Sequence, residues 1–348
     1  MNEQLPKRTR GCFACVNSGQ GFVSYFDELL KDVHYLYVIK GGPGTGKSGL
    51  MAHIAACAEA RGEPALRIYC SSDPNSLDGV LLPARSVALV DGTAPHSTEP
   101  SPPGAAGELV DLGQYWNTAA LRANAEKIGC LNAEKSAAYA RAYLNLGALE
   151  ALRTNQKSIL RAAQNEEGIA RLCARLARFA DLRCDGSPRL RQLSAIGMLG
   201  SVRIHAWETD AKSICTLPPF FGAEELIFER LFLLCGTGQS YSLDALTRVP
   251  DRIYSPAHRA LLRCGEALDD AREKVCALRR LFDLSDAQKA ALRQYDKASR
   301  ALWALTTAAF EDASRAHFAL EKIYGAAMDF ACVNALKIKL SERIFGAT

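Results

Sequence analysis

Residues 35 to 54, YLYVIKGGPGTGKSGLMAHI, constrain the chain more than any other stretch. Tyr35 to Ile39 is a short β-branched and aromatic run, which reads as a buried strand. Gly41-Gly42-Pro43-Gly44-Thr45-Gly46-Lys47-Ser48 fits G-x-x-x-x-G-K-[ST] at every fixed position. Gly49 to Cys57 follows as a helix, with Leu50, Ile54 and Cys57 on one side. Strand, glycine loop and helix in this order is the context in which such a string cradles a polyphosphate. The alternative is a chance glycine-rich turn.

The residue types suit the chemistry. Gly41, Gly44 and Gly46 let the backbone approach a triphosphate and adopt unusual dihedrals. The head of the next helix, from Gly49, adds a positive dipole end. Lys47 reaches for the β- and γ-phosphates, and the Ser48 hydroxyl for Mg²⁺. Two further strands are expected, Ala65 to Cys70 and Ser86 to Val90. The second ends at Asp91, the expected Mg²⁺ partner, directly or through water; a turn aspartate before Gly92 is the alternative. Asp73 follows the other strand and is the candidate for orienting water, against an Asx-turn before Pro74. Asp78 is a weaker candidate. His96 can sense phosphate or be a solvated loop side chain. Residues 97 to 107, STEPSPPGAAG, read as a surface loop, a lid or a spacer.

No Asn-Lys-x-Asp string is present, so ATP is expected over GTP. No Leu-Ser-Gly-Gly-Gln string marks a transporter ATPase, and no glutamate follows Asp91 to activate water. Lys plus Arg is 42 against 38 for Asp plus Glu, in 348 residues. So small an excess does not imply nucleic acid or a membrane surface. No stretch has the roughly 18 apolar residues of a membrane span. The opening MNEQLPKRTRGCFACV lacks the apolar core of a secretory signal, and the scattered cysteines read as reduced thiols, so a cytoplasmic protein is expected. Cys12-Phe13-Ala14-Cys15 is a CxxC without the second pair that a tetrahedral zinc site needs. Asn17 to Phe22, NSGQGF, precedes the first strand and can cover the nucleotide.

From Trp116 to Leu182 the pattern is helical. Ile169, Leu172, Leu176 and Phe179 make one stripe, and Arg171, Arg175 and Arg178 another face. Cys184 to Arg191 reads as a linker. Leu231 to Ser240 then echoes strand and phosphate loop, with Thr237-Gly238-Gln239-Ser240 against Thr45-Gly46-Lys47-Ser48. Gln239 in place of Lys47 lacks the cation, so this copy is expected to bind nucleotide poorly. Leu268, Ala271, Val275, Leu278 and Phe282 read as a helical seam. Ser285 with Gln288 forms a capping box that starts the next long helix.

The expected fold is therefore α/β: a mostly parallel P-loop NTPase-type sheet with long helical hairpins, duplicated with a degenerate second half. Residues 1–183 form one half and 192–348 the other. GGPGTGKS, SSDPNSLDGV at Ser71 to Val80, DGTAPH at Asp91 to His96, DLGQYW at Asp111 to Trp116 and EKIYGAAMDF at Glu321 to Phe330 resemble an uncharacterised bacterial family of duplicated P-loop ATPases. The resemblance covers most of the chain and implies ATP binding and a P-loop fold. The expected activity is a Mg²⁺-dependent ATPase that moves its helices, working with an unknown protein or small-molecule partner. The alternatives are a phosphotransferase acting on a small acceptor and a nucleotide-sensing module.

Overall fold

A computed structural model describes residues 11–93, 99–183 and 185–346. The first half runs β1 (Cys12–Phe13), β2 (Cys15–Ser18), β3 (Gly21–Ser24), α1 (Phe26–Leu29), β4 (Tyr35–Lys40), α2 (Lys47–Ala60), β5 (Leu66–Tyr69), β6 (Leu77–Leu82), β7 (Val87–Asp91), β8 (Gly107–Asp111), α3 (Thr118–Ala123), α4 (Ala125–Ala162) and α5 (Glu166–Ala180). The second runs β9 (Arg189–Leu190), β10 (Ser194–Gly197), β11 (Gly200–Arg203), α6 (Ala206–Asp210), β12 (Ser213–Leu217), α7 (Ala223–Phe232), β13 (Ser240–Leu243), β14 (Pro250–Ser255), β15 (Ala260–Cys264), β16 (Glu273–Val275), α8 (Asp286–Ala326) and α9 (Phe330–Phe345). No described helix is long and apolar enough to cross a membrane.

Each half builds a six-stranded, mostly parallel sheet. The orders are β1-β5-β6-β7-β4-β8 and β9-β13-β14-β15-β12-β16, the same order counted from each half's first strand. β6 and β14 run antiparallel to both neighbours; the other pairs are parallel. β4 lies between β7 and β8, so Leu36 to Ile39 are all buried. That burial explains its unbroken apolar run. Helix α2 packs Leu50, Met51, Ile54 and Ala58 into the core with Tyr37, Ile39 and Leu89.

The halves exchange their last helices. Ile169, Leu172, Cys173 and Leu176 of α5 join the core of the second half, with Leu217, Phe228 and Leu262. Leu340 of α9 joins the first half's core beside Leu50 and Ile54. Main-chain bonds fix each crossing. Asn117 N donates to Ala327 O (2.7 Å) and Asp329 N to Tyr115 O (3.1 Å); Asp283 N donates to Ala163 O (2.8 Å) and Asn165 N to Leu281 O (2.7 Å). Asn165 and Asp329 cap the exchanged helices through their side chains. The long α4 and α8 pack along one another.

Several expectations are corrected. Leu231 and Phe232 end helix α7 rather than forming a strand, and Thr237 to Gln239 turn into β13. Gln239 there accepts from Gly236 N and donates to Asp181 O, closing the turn. A short apolar run does not distinguish a helix end from a strand. Val275, expected in a helical seam, lies in β16, which pairs with the edge of β12. Within the expected linker, Arg189–Leu190 forms β9 beside β13; Cys184 lies outside the described residues. NSGQGF forms the β2–β3 hairpin and turns to the other half, with Asn17 Nδ2 donating to Ile196 O at 2.7 Å. Cys12 and Cys15 are buried in strands, and burial pushes the Cys12 thiol up to about 12. The capping box at Ser285 and Gln288 is present.

The second half also buries an ion network. Arg252, fully hidden, donates to Glu208 (3.1 Å) and Asp251 (2.8 Å). Burial raises the Glu208 carboxyl, but Arg252 and His205 outweigh it and hold it at about 2. A depressed carboxylate contributes stability above its unfolded value near 4.5, lost as pH falls through about 2. Urea midpoints measured from pH 7 to 2 should therefore fall below about pH 4.5, and Glu208→Gln should flatten that fall. Arg252→Leu, which strands two acids, should cost about 3–5 kcal/mol at pH 7.

Candidate functional site

The loop after β4 turns back over the head of α2. Gly44 (φ +68°) and Gly46 (φ +94°) hold left-handed conformations, and Gly46 is the cap of the helix. Thr45 is buried and its Oγ1 donates to Gly42 O at 2.8 Å. Lys47 folds into the loop: Nζ donates to Gly41 O and Gly42 O, both at 2.8 Å. The same ammonium lies 3.5 Å from Asp91 Oδ2. The strand pairing Ile39↔Asp91 places that carboxylate beside the loop. Its other oxygen accepts from Thr93 N at 2.8 Å, and Thr93 Oγ1 donates to Gly41 O at 2.9 Å. Ser48 Oγ accepts from Leu77 N at 3.0 Å. Pro43 is half-buried, and Gly49 opens the exposed side of α2 toward Lys337.

Lys47, Ser48 and Asp91 are thus gathered at one helix head, as their spacing suggests. The first turn of a helix also leaves N–H groups without intrahelical acceptors. An ammonium, those amides, a hydroxyl and a carboxylate form a set able to hold a polyphosphate and a divalent cation. Asp73 lies in the turn between β5 and β6. Its Oδ1 accepts from Asn75 N at 3.0 Å, the Asx-turn alternative. Asp78 is buried in β6, near Cys70 and Tyr139. His96 lies outside the described residues, as do residues 97 and 98 of the expected loop.

Distant helices complete the surroundings. A Cβ on Gly42 would come within 2.9 Å of the Tyr324 ring, and one on Gly44 within 2.6 Å of Glu321 O. Helix α8 therefore lies directly on the loop, and Tyr324 packs on Trp116 with ring centroids 5.7 Å apart. Hydrogen bonding from His317 lowers the Glu321 carboxyl; burial opposes, while the His317 and Lys47 charges and the Gly44 N–H assist. From α4, Lys135 is lowered by burial and then by the charge of Lys47. Sequence reading missed Lys135, His317, Glu321 and Tyr324 as site residues. Only the string EKIYGAAMDF drew notice to this part of α8.

The matching place in the second half differs. Leu217↔Cys264 corresponds to Ile39↔Asp91 in the shared strand order, and Gly222 (φ +93°) caps α7 as Gly46 caps α2. The connection has five residues, 218–222, against six, 41–46. Ala223 stands where Lys47 does, Glu224 where Ser48 does, and Cys264 where Asp91 does. Ala223, not Gln239, is therefore the residue at the place of Lys47 in the second sheet.

No protein-family model, curated protein or solved structure gives a significant match to this chain.

Two alanine substitutions separate backbone strain from helix contact. Gly62 (φ +75°) has open space around its missing Cβ. Gly62→Ala should cost about 1–2 kcal/mol, the left-handed penalty alone. Gly44→Ala should cost about 2 kcal/mol more, because it also collides with α8. Urea unfolding of both variants measures the difference.

Proposed function

We propose that the chain binds ATP with Mg²⁺ at this loop and is an ATPase whose turnover shifts the helices packed on it. The observation that carries the reading is Lys47, bracketed by Gly41 O, Gly42 O and Asp91 at the head of α2. A bound triphosphate takes over the ammonium from the two carbonyls and exchanges neutral contacts for charge-assisted ones. Ser48 and Asp91 hold Mg²⁺, directly or through water. Lys135 adds a second ammonium from α4.

In this reading the first half is a P-loop nucleotide-binding unit and the second half its duplicate. The shared strand order and the paired helix exchange support the duplication. Ala223 makes the second copy degenerate, because the residue after the capping glycine carries no ammonium. The resemblance to duplicated P-loop ATPases agrees with this reading.

The coupling to helix movement rests on Glu321. Its carboxylate takes the Gly44 N–H, an amide of the kind that a phosphate needs. Phosphate oxygens and Glu321 compete for it, and like charges repel. Nucleotide binding therefore loosens the contact of α8 with the loop.

Titration of MgATP and MgGTP into wild type and Lys47→Ala tests the reading. Wild type should bind ATP more tightly than GTP, and Lys47→Ala should lose at least about tenfold in affinity and nearly all turnover. Equal hydrolysis by the two proteins would end the proposal. Trp116 emission, isolated by Trp207→Phe and Trp303→Phe, should change on adding MgATP as Tyr324 shifts. The same signal should stay flat in Lys47→Ala.

A further inference from the structure

The degenerate half holds a cavity where the nucleotide loop of the first half lies. It measures about 410 Å³ and lies between Pro219, the start of α7, the ends of β14 and β15, and helices α4 and α8. That size is ordinary for a small-molecule site.

Its chemistry does not suit a polyphosphate. Pro218 and Pro219 offer no N–H. Glu224 Oε2 occupies a loop amide, accepting from Phe220 N at 2.9 Å. The nearby guanidinium groups are already engaged. Arg203 lies 3.0 Å from Asp251, and Arg153 lies 3.2 Å from Glu225. Burial raises the Glu225 carboxyl to about 7; Arg153 opposes, Asp244 adds, Lys157 opposes and Glu224 adds. Four acids, Glu224, Glu225, Asp244 and Asp251, line the space with three arginines, Arg153, Arg203 and Arg300.

Asp251 indicates what is lacking. It lines the cavity and is only 3% exposed. Its Oδ2 is paired with Arg252 and Arg203, but its buried Oδ1 has no hydrogen-bond partner among the described residues. A buried carboxylate oxygen calls for a donor, best a charged one. One water fills roughly 30 Å³, far less than this space. Among the described residues no group of three His, Cys, Asp or Glu side chains is placed to hold a metal ion. The other walls suit an organic cation: Trp303 offers a ring face, and Leu149, Ile196 and Leu246 offer apolar contact.

We propose that this cavity binds a small molecule carrying a primary ammonium group, seated on Asp251 with its carbon chain against Trp303 and Leu246. It is a site distinct from the nucleotide loop, and no nucleotide is needed to test it.

Calorimetric titration of the full chain with 1,4-diaminobutane, 1,4-butanediol and succinate provides the test. The diamine should bind saturably, and the uncharged diol and the dianion should not. Asp251→Asn should weaken the diamine more than about tenfold. Because Asp251 also supports Arg252, Ser299→Trp serves as a second variant; Ser299 lines the cavity from α8 and stands outside the Asp251 ion pairs. This variant should abolish binding. Diamine binding unchanged by Ser299→Trp, succinate or diol binding as tight as the diamine, or no saturable diamine binding would each overturn the proposal.

Discussion

The crossing of the two halves is the constraint on which the rest of this structure depends. Four main-chain hydrogen bonds, two at each crossing, tie residues 115–117 to 327–329 and 163–165 to 281–283. Each bond reaches across more than a hundred residues of chain. They matter because neither half completes its core alone. The first sheet needs Leu340 of α9, and the second needs the Ile169–Leu176 stripe of α5. Apolar burial is the main force for folding, so a half without its partner's helix would expose a hydrophobic face. The two halves are therefore one cooperative unit.

The same exchange shapes the loop. Because the turn between α8 and α9 is pinned at Trp116, the end of α8 lies on Gly42 and Gly44. Glycine is required there twice over. The backbone of Gly44 is left-handed, and neither Gly42 nor Gly44 has room for a side chain under the helix. Helices α4 and α8 touch both candidate sites. α4 brings Lys135 near the loop and Arg153 to the second cavity; α8 brings Glu321 to the one and Trp303 to the other. Packed helices shift as units, so a change at one end has a direct mechanical route to the other.

What was legible in the sequence follows from how local each signal is. The strand at Tyr35, the loop and the head of α2 were readable because their cues lie within twenty residues. Asp91 was readable because it ends an apolar strand. β6 and β8 were not named as strands. Leu77–Leu82 has an aspartate and a glycine near its start, and Gly107–Asp111 follows a Pro-rich stretch, so neither shows clean alternation. The echo at Leu231–Ser240 was misplaced because a string match ignores what the backbone does. The segment at the matching place, Pro218 to Gly222, shares only a proline, Pro219 against Pro43, and the capping glycine with the first loop. Lys135, His317 and Glu321 carry no local mark at all, since a charged residue on a long helix looks like any solvated one.

By itself the sequence determined the strand at Tyr35, the glycine loop with its lysine and hydroxyl, the head of α2 and the capped start of α8. Backbone dihedrals, capping and short-range apolar periodicity are local properties, so they are written residue by residue. The tertiary structure decided which helix completes which core, which side chains close over the loop, and which residue stands at the head of α7. Those depend on contacts between residues far apart in the chain, and no local pattern encodes them.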